Sequence, residues 1–134
     1  MEKIDILGHS SFWVDKDGIL NCKIYNCNTD NRLDFKTAQL FLNAIEGLTL
    51  GKPMPFLLDF RGVKGTFSNA AGQALSEGLK NSQLIPCEAY VVNSLSIKLL
   101  VRTYKRLYHP NIPYNIFNDL NAAKSYCLTS LLKA

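Results

Sequence analysis

Residues 55–79 constrain the fold most: Pro-Phe-Leu-Leu-Asp-Phe-Arg-Gly-Val-Lys-Gly-Thr-Phe-Ser-Asn-Ala-Ala-Gly-Gln-Ala-Leu-Ser-Glu-Gly-Leu. The opening run, Phe56 to Phe60, is a short apolar stretch of the kind that fits a strand buried on both faces. A polar loop with Gly62 and Gly65 follows. Ala71, Ala74, Leu75, Gly78 and Leu79 then fall on one face of a helix. Strand, loop and helix in that order make half of a β-α-β unit. What sits on the loop between them becomes the functional question.

The flanking chain fits the same unit. Residues 1–9 read as a loosely ordered lead-in to a single domain over 10–134. Phe12, Trp13 and Val14 predict a first strand. Asp15-Lys16-Asp17-Gly18 is a tight-turn signature, with Gly18 supplying a positive φ. Ile19 to Tyr25 completes a β-hairpin. Asn26 to Asn31 is polar and loop-like. Asp34 caps a helix from Phe35 to about Leu48, whose Ala38, Phe41, Leu42, Ile45 and Leu48 recur at helical spacing. Gly51 and Pro53 stop it.

After the central unit, Pro86 precedes a strand over Cys87 to Val92. Asn93 and Ser94 cap a helix from Leu95 to about Tyr108, closed by Pro110 and Pro113. Tyr114 to Phe117 is the last strand, and Asp119 caps a final helix with Leu120, Ala123, Cys127 and Leu131 inward. The order ββαβαβαβα predicts an α/β fold, with a mixed, mostly parallel five-stranded sheet led by the hairpin and helices packed on it. Ligands of such sheets lie at the carboxyl ends of the strands. Those ends are residues 59–68, 92–96 and 117–119.

Composition narrows the class. With 134 residues, 47% apolar and 19% charged, the chain can bury a proper core and is not a disordered one. No apolar run approaches the roughly 18 residues needed to cross a bilayer, and the N-terminus is not expected to be a secretory signal. A cytoplasmic location is expected. Cys22, Cys27, Cys87 and Cys127 form no Cys-x-x-Cys pair, so free thiols are expected, with no metal site and no cofactor.

At this point the residues resemble a known family. The element order, the segment Leu58-Asp59-Phe60-Arg61-Gly62-Val63 and the Ser-led helix with Gly72 and Leu75 are similar to the STAS domains. These are the sulphate-transporter and anti-sigma-factor-antagonist modules, also called SpoIIAA-like. The order agrees from Phe12 to Leu132, the motif over residues 57–75. Family members typically read Leu-Asp-Leu-Ser-Gly-Val, then a short spacer and Asp-Ser-Ser-Gly. Here the spacer is longer, and Ser68-Asn69-Ala70-Ala71-Gly72 stands without the Asp.

The resemblance implies a non-enzymatic regulatory module that binds a kinase-like or regulator-like protein partner or a small anionic ligand. In the antagonists a serine at this helix start is phosphorylated, and Ser68, less well Thr66, occupies that place. The chain looks closer to bacterial proteins grouped as STAS/SEC14-like. That grouping implies an alternative: binding of a lipid or small apolar ligand at an anionic membrane surface.

The candidate ligand or partner surface comprises Asp59, Arg61, Lys64, Thr66, Ser68 and Asn69 on the central loop and Ser94 at the next helix start. A hydroxyl such as that of Ser68 meets free N–H groups and the positive end of the helix dipole, so it tolerates a phosphate or anion. An ordinary N-cap uses the same hydroxyl with no ligand. Asp59 either binds a ligand or holds the loop through backbone N–H groups. Gly62-Val63-Lys64-Gly65 matches neither a dinucleotide fingerprint nor a P-loop.

Net charge is +4, and its location matters more than its size. Between Glu88 and Asp119 stand four basic residues and no acidic one, while the rest of the chain cancels. Those four, Lys98, Arg102, Lys105 and Arg106, share roughly one face of a helix. Ile97, Leu100, Val101, Tyr104 and Leu107 form the opposite, core face. The basic face is either a solvated complement to the helix dipole or a site for an acidic protein or anionic lipid. Nucleic acid is disfavoured, because the pI of about 8.9 is modest and no motif accompanies it.

Catalysis has thin support. His9 and His109 make no triad with a nucleophile, and Asp59 and Asp119 are the only carboxylates at the strand ends. The chain is expected not to be an enzyme, and a homodimer remains open.

Overall fold

The hairpin shows how local chemistry sets register. The structure is a computed structural model that describes residues 3–6, 10–25, 32–33, 35–63, 66–67, 69–80, 84–108 and 112–132. In it, β2 (Ser10–Val14) and β3 (Leu20–Ile24) pair antiparallel with Phe12 opposite Cys22. Asp15 Oδ1 accepts the N–H groups of Asp17 at 2.9 Å and Ile19 at 3.1 Å. Gly18 completes the turn at a φ of 84°, a conformation that side chains with a Cβ avoid.

Two expectations are corrected at this end of the sheet. Lys3–Ile6, expected in a loose lead-in, form β1, antiparallel to β2 with Ile4 opposite Phe12. The reason is their polar–apolar alternation, which turns Ile4 and Ile6 onto the main core. The sheet therefore has six strands, not five, in the order β1-β2-β3-β5-β7-β8.

The remaining strands of that sheet are β5 (Phe56–Asp59), β7 (Glu88–Val91) and β8 (Tyr114–Phe117), which continue from β3 in parallel. The helices are α1 (Phe35–Thr49), α2 (Asn69–Lys80), α3 (Leu95–Tyr108) and α4 (Leu120–Leu132). Mixed pairing led by a hairpin and followed by β-α-β crossovers is the α/β class that the sequence predicts. A separate parallel pair, β4 (Arg32–Leu33) and β6 (Thr66–Phe67), bridges the two loops that flank α1 and α2. Two-residue strands leave no periodicity to read.

Register divides the sheet into two faces. Phe12, Leu20, Cys22, Phe56, Leu58 and Tyr90 belong to the main core with Phe41 and Ile45 of α1, Leu79 of α2, and Ile97 and Val101 of α3. Phe12 meets Phe41 edge-on, with ring centres 5.1 Å apart. On the other face Leu57, Ala89 and Val91 pack under α4 through Ala123 and Cys127. Leu57 is buried on β5 just as its neighbours Phe56 and Leu58 are, which explains the unalternating run. Each such side chain contributes roughly 1.5–3 kcal/mol when fully buried.

Helices α1 and α2 approach closely at Gly78, where an added Cβ would stand 2.5 Å from Leu42 Cδ1. Helix α1 ends where Leu50 and Gly51 take φ values of 51° and 83°. Glycine is the usual residue for that left-handed exit, and a leucine there is uncommon.

Candidate functional site

Parallel register places the carboxyl ends of four strands in a row: Lys23 opposite Asp59, Asp59 opposite Val91, and Val91 opposite Phe117. Asp59, last in β5 and buried, organises this rim. Its Oδ1 accepts Arg61 Nε–H at 2.9 Å and the Arg61 backbone N–H at 3.1 Å, and its Oδ2 accepts Arg61 Nη2–H at 2.8 Å. Lys23 Nζ lies 3.4 Å from Oδ2 and donates to the Arg61 carbonyl.

Burial alone would push the Asp59 carboxyl up. The hydrogen bonds from Arg61 and the charges of Lys23 and Arg61 outweigh it and hold the carboxyl below its usual value. The hydrogen bonds to Asp59 in turn raise the Arg61 guanidinium, and its attraction to the Asp59 and Asp119 charges adds to this. Of the two roles open to Asp59, the geometry shows the loop-holding one. Both carboxylate oxygens are engaged by Arg61 of its own chain.

The neighbouring connections are held in the same way. Gly62, at a φ of 82°, donates its N–H to Asn93 Oδ1 at 3.1 Å, tying the loop after β5 to the one after β7. Ser94 Oγ accepts the N–H of Ile97 at 3.3 Å and caps α3. Asp119 Oδ2 accepts the N–H of Ala122 at 3.1 Å and caps α4. Asp59, Arg61 and Ser94 are thus brought to one rim. Lys64 and Ser68, and with Ser68 the phosphorylation reading, lie outside the described residues, as do His9, His109 and Asp34. Thr66 falls in β6 and Asn69 opens α2, but their side chains also lie outside the description.

The basic face needs correction. Arg102 and Arg106 are exposed and Lys98 is half-buried, but Lys105 is buried and does not join them. It lies four residues beyond Val101 and eight beyond Ile97, on the inward stripe of α3. Its Nζ stands 2.6 Å from Glu88 Oε1, donates to the Ile112 carbonyl at 3.1 Å, and lies 4.9 Å from the Tyr114 ring centre. Leu107, expected in the core, is 58% exposed. Leu95 and Leu99 are exposed at 70% and 50%. At helical spacing Leu95, Leu99, Arg102 and Arg106 form one outward stripe that starts beside Ser94 at the rim.

Glu88 and Lys105 belong to a closed polar cluster at the amino ends of β7 and β8, the end opposite the rim. Tyr90 Oη donates to Glu88 Oε1 at 3.0 Å. Burial, reinforced by the Glu88 charge, pushes the Tyr90 and Tyr104 hydroxyls well up. Sequence reasoning missed this cluster. The available signal was a lone acid inside the apolar run Cys87 to Val92, matched to a lysine on the inward stripe of the next helix.

Among the described residues no three His, Cys, Asp or Glu side chains group as a metal site. No helix among them is long and apolar enough to cross a membrane.

Comparison with known proteins bears on the fold. Residues 12–130 match a family described as a domain of unknown function, DUF7793. No curated protein matches the sequence. Among solved structures, an uncharacterised protein of the DUF3478 family from Shewanella loihica PV-4, described as having a SpoIIAA-like fold, superposes with a TM-score of 0.62. The match covers 92% of this chain and 98% of that one at 17% identity, a likeness of fold. The SpoIIAA-like architecture implied by the sequence is thus the one found.

Proposed function

Because the chain belongs to the DUF7793 family and carries a SpoIIAA-like fold, we propose that it is a non-catalytic STAS-like module that docks an acidic protein partner. The partner sits on the outward stripe of α3 and the adjoining rim. One observation carries this reading: Leu95 stands largely and Leu99 half in water, on one stripe with Arg102 and Arg106, on a helix without an acidic residue. Apolar anchors flanked by charge of one sign suit a partner surface with leucine-covering contacts and carboxylates around them.

The rim supports a positioning role better than a chemical one. A general base works best with a pKa near the working pH, and Asp59 is held below even its ordinary value. A small anion at the start of α3 would displace the Ser94 cap. Ser68, which precedes Asn69 in the sequence, is the residue on which a STAS-type kinase would act.

The test compares the wild-type chain with Leu95→Glu/Leu99→Glu as bait in the host's lysate, with purified chain and anionic vesicles alongside. The expected result is an acidic protein captured by the wild type, lost from the variant, and no vesicle flotation. Equal capture by the variant would overturn the reading. Flotation of the wild type with anionic vesicles, lost in the variant, would replace it with the membrane alternative.

A further inference from the structure

The six-stranded sheet ends in two edges, β1 and β8, and they are finished differently. On the β7 side of β8, the carbonyls of Pro113 and Phe117 accept the N–H groups of Glu88 and Val92. The backbone of Tyr114 and Ile116 therefore turns outward. There Asn115 Oδ1 accepts the Ile116 N–H at 2.9 Å, so the chain's own side chain covers part of that edge.

On β1 the alternation is set by the hairpin. Asp15 donates its N–H to the Ile19 carbonyl, so the backbone of Trp13 and Ser11 turns to β3 and that of Phe12 and Ser10 to β1. Ile4 and Ile6 stand opposite Phe12 and Ser10, which leaves the backbone groups of Lys3 and Asp5 facing outward. Among the described residues no strand lies beside them. Both side chains are exposed, on the sheet face opposite the main core. Lys3 Nζ lies 5.6 Å from the Trp13 ring centre, and Asp5 accepts the Ser11 hydroxyl.

We propose that a second copy of this chain pairs antiparallel with β1 about a two-fold axis at Ile4, joining two six-stranded sheets into one. In that register Lys3 stands opposite the partner's Asp5, and Asp5 opposite the partner's Lys3. The outward N–H and C=O groups of these residues exchange hydrogen bonds across the seam. Ile4 meets the partner's Ile4 on the core face as a close, non-hydrogen-bonded pair. A slip by two residues sets Lys3 against the partner's Lys3, or Asp5 against the partner's Asp5, and like charges directly opposite resist it. A slip by one turns the core face of one copy to the wrong side. Helix α1 flanks the same edge, since a Cβ added at Gly47 would stand 3.9 Å from Ile4 Cδ1. Leu40, two turns before Gly47 on that side of α1, is 43% exposed and gives the seam an apolar flank.

Sedimentation of the full chain over a dilution series tests this, with two variants alongside. Wild type should form a concentration-dependent dimer. Lys3→Asp and Asp5→Lys each place like charges opposite one another, and each should raise the dimer dissociation constant about tenfold or more. Mixing the two variants restores opposite charges at both positions, and the dimer should return as a heterodimer. Carbodiimide coupling of isotope-labelled with unlabelled wild type should link Lys3 of one copy to Asp5 of the other. A wild type that stays monomeric at the highest concentration, a dimer indifferent to either reversal, or links between copies that avoid β1 would overturn the proposal. The wild-type sedimentation and coupling decide even where a variant fails to fold.

Discussion

Replacing Lys105 by methionine removes one charge from a pair that water does not reach. The side chains of Lys105 and Glu88 are 5% and 2% exposed, and Nζ stands 2.6 Å from Oε1. The substitution also strips the Ile112 carbonyl of its donor and leaves Glu88 with the Tyr90 hydroxyl. Removing one member of a buried pair costs about 3–5 kcal/mol, because the remaining charge is stranded. The lost bond to Ile112 falls within that figure and is not added to it. Of a total stability near 5–15 kcal/mol this is a large share. It corresponds to a melting point lower by roughly 10–20 °C in a domain of this size.

The companion variant Glu88→Gln/Lys105→Met removes both charges and keeps an acceptor for Tyr90. It should recover most of the loss, giving a coupling energy above about 2 kcal/mol in a double-mutant cycle. Urea unfolding of the four proteins measures this. A cost below about 1 kcal/mol for Lys105→Met, or a double variant that merely sums the singles, would refute the closed-cluster reasoning.

Other outcomes follow from the same geometry. Asp59→Asn should cost about 1.5–3 kcal/mol by weakening three hydrogen bonds at the β5 end, read from the urea midpoint. The Asp59 pKa is depressed on folding, so its contribution is complete above the unfolded value near about 4 and is lost as pH falls through the folded one. Wild type should lose more stability than Asp59→Asn over that acidic window. Leu99→Ser should change stability by less than about 0.5 kcal/mol, since Leu99 is half in water, yet weaken partner capture.

The sequence made the central strand, loop and helix legible because their signals are local: an unbroken apolar run, Gly62 and a helical stripe. The hairpin was legible for the same reason, in Asp15 and Gly18. Lys3–Ile6 escaped notice because a four-residue alternation is too short to stand out until β2 is beside it. At the candidate site, Asp59 and Ser94 could be placed at the rim from topology alone. That Lys23 joins Arg61 in neutralising Asp59 depended on the β3–β5 register, which no local pattern reports. Lys105 deceived for a related reason: helical spacing groups it with Lys98, and only the position of Glu88 on the neighbouring strand draws it inward.

Site-specific photocrosslinking tests the docking surface most directly. A crosslinking side chain is placed at Leu99 on the outward stripe of α3, and in a second protein at Lys124, exposed on α4. The account predicts an acidic protein joined to the chain from position 99 and not from position 124. An equal yield from both positions, or a crosslink confined to position 124, would contradict it.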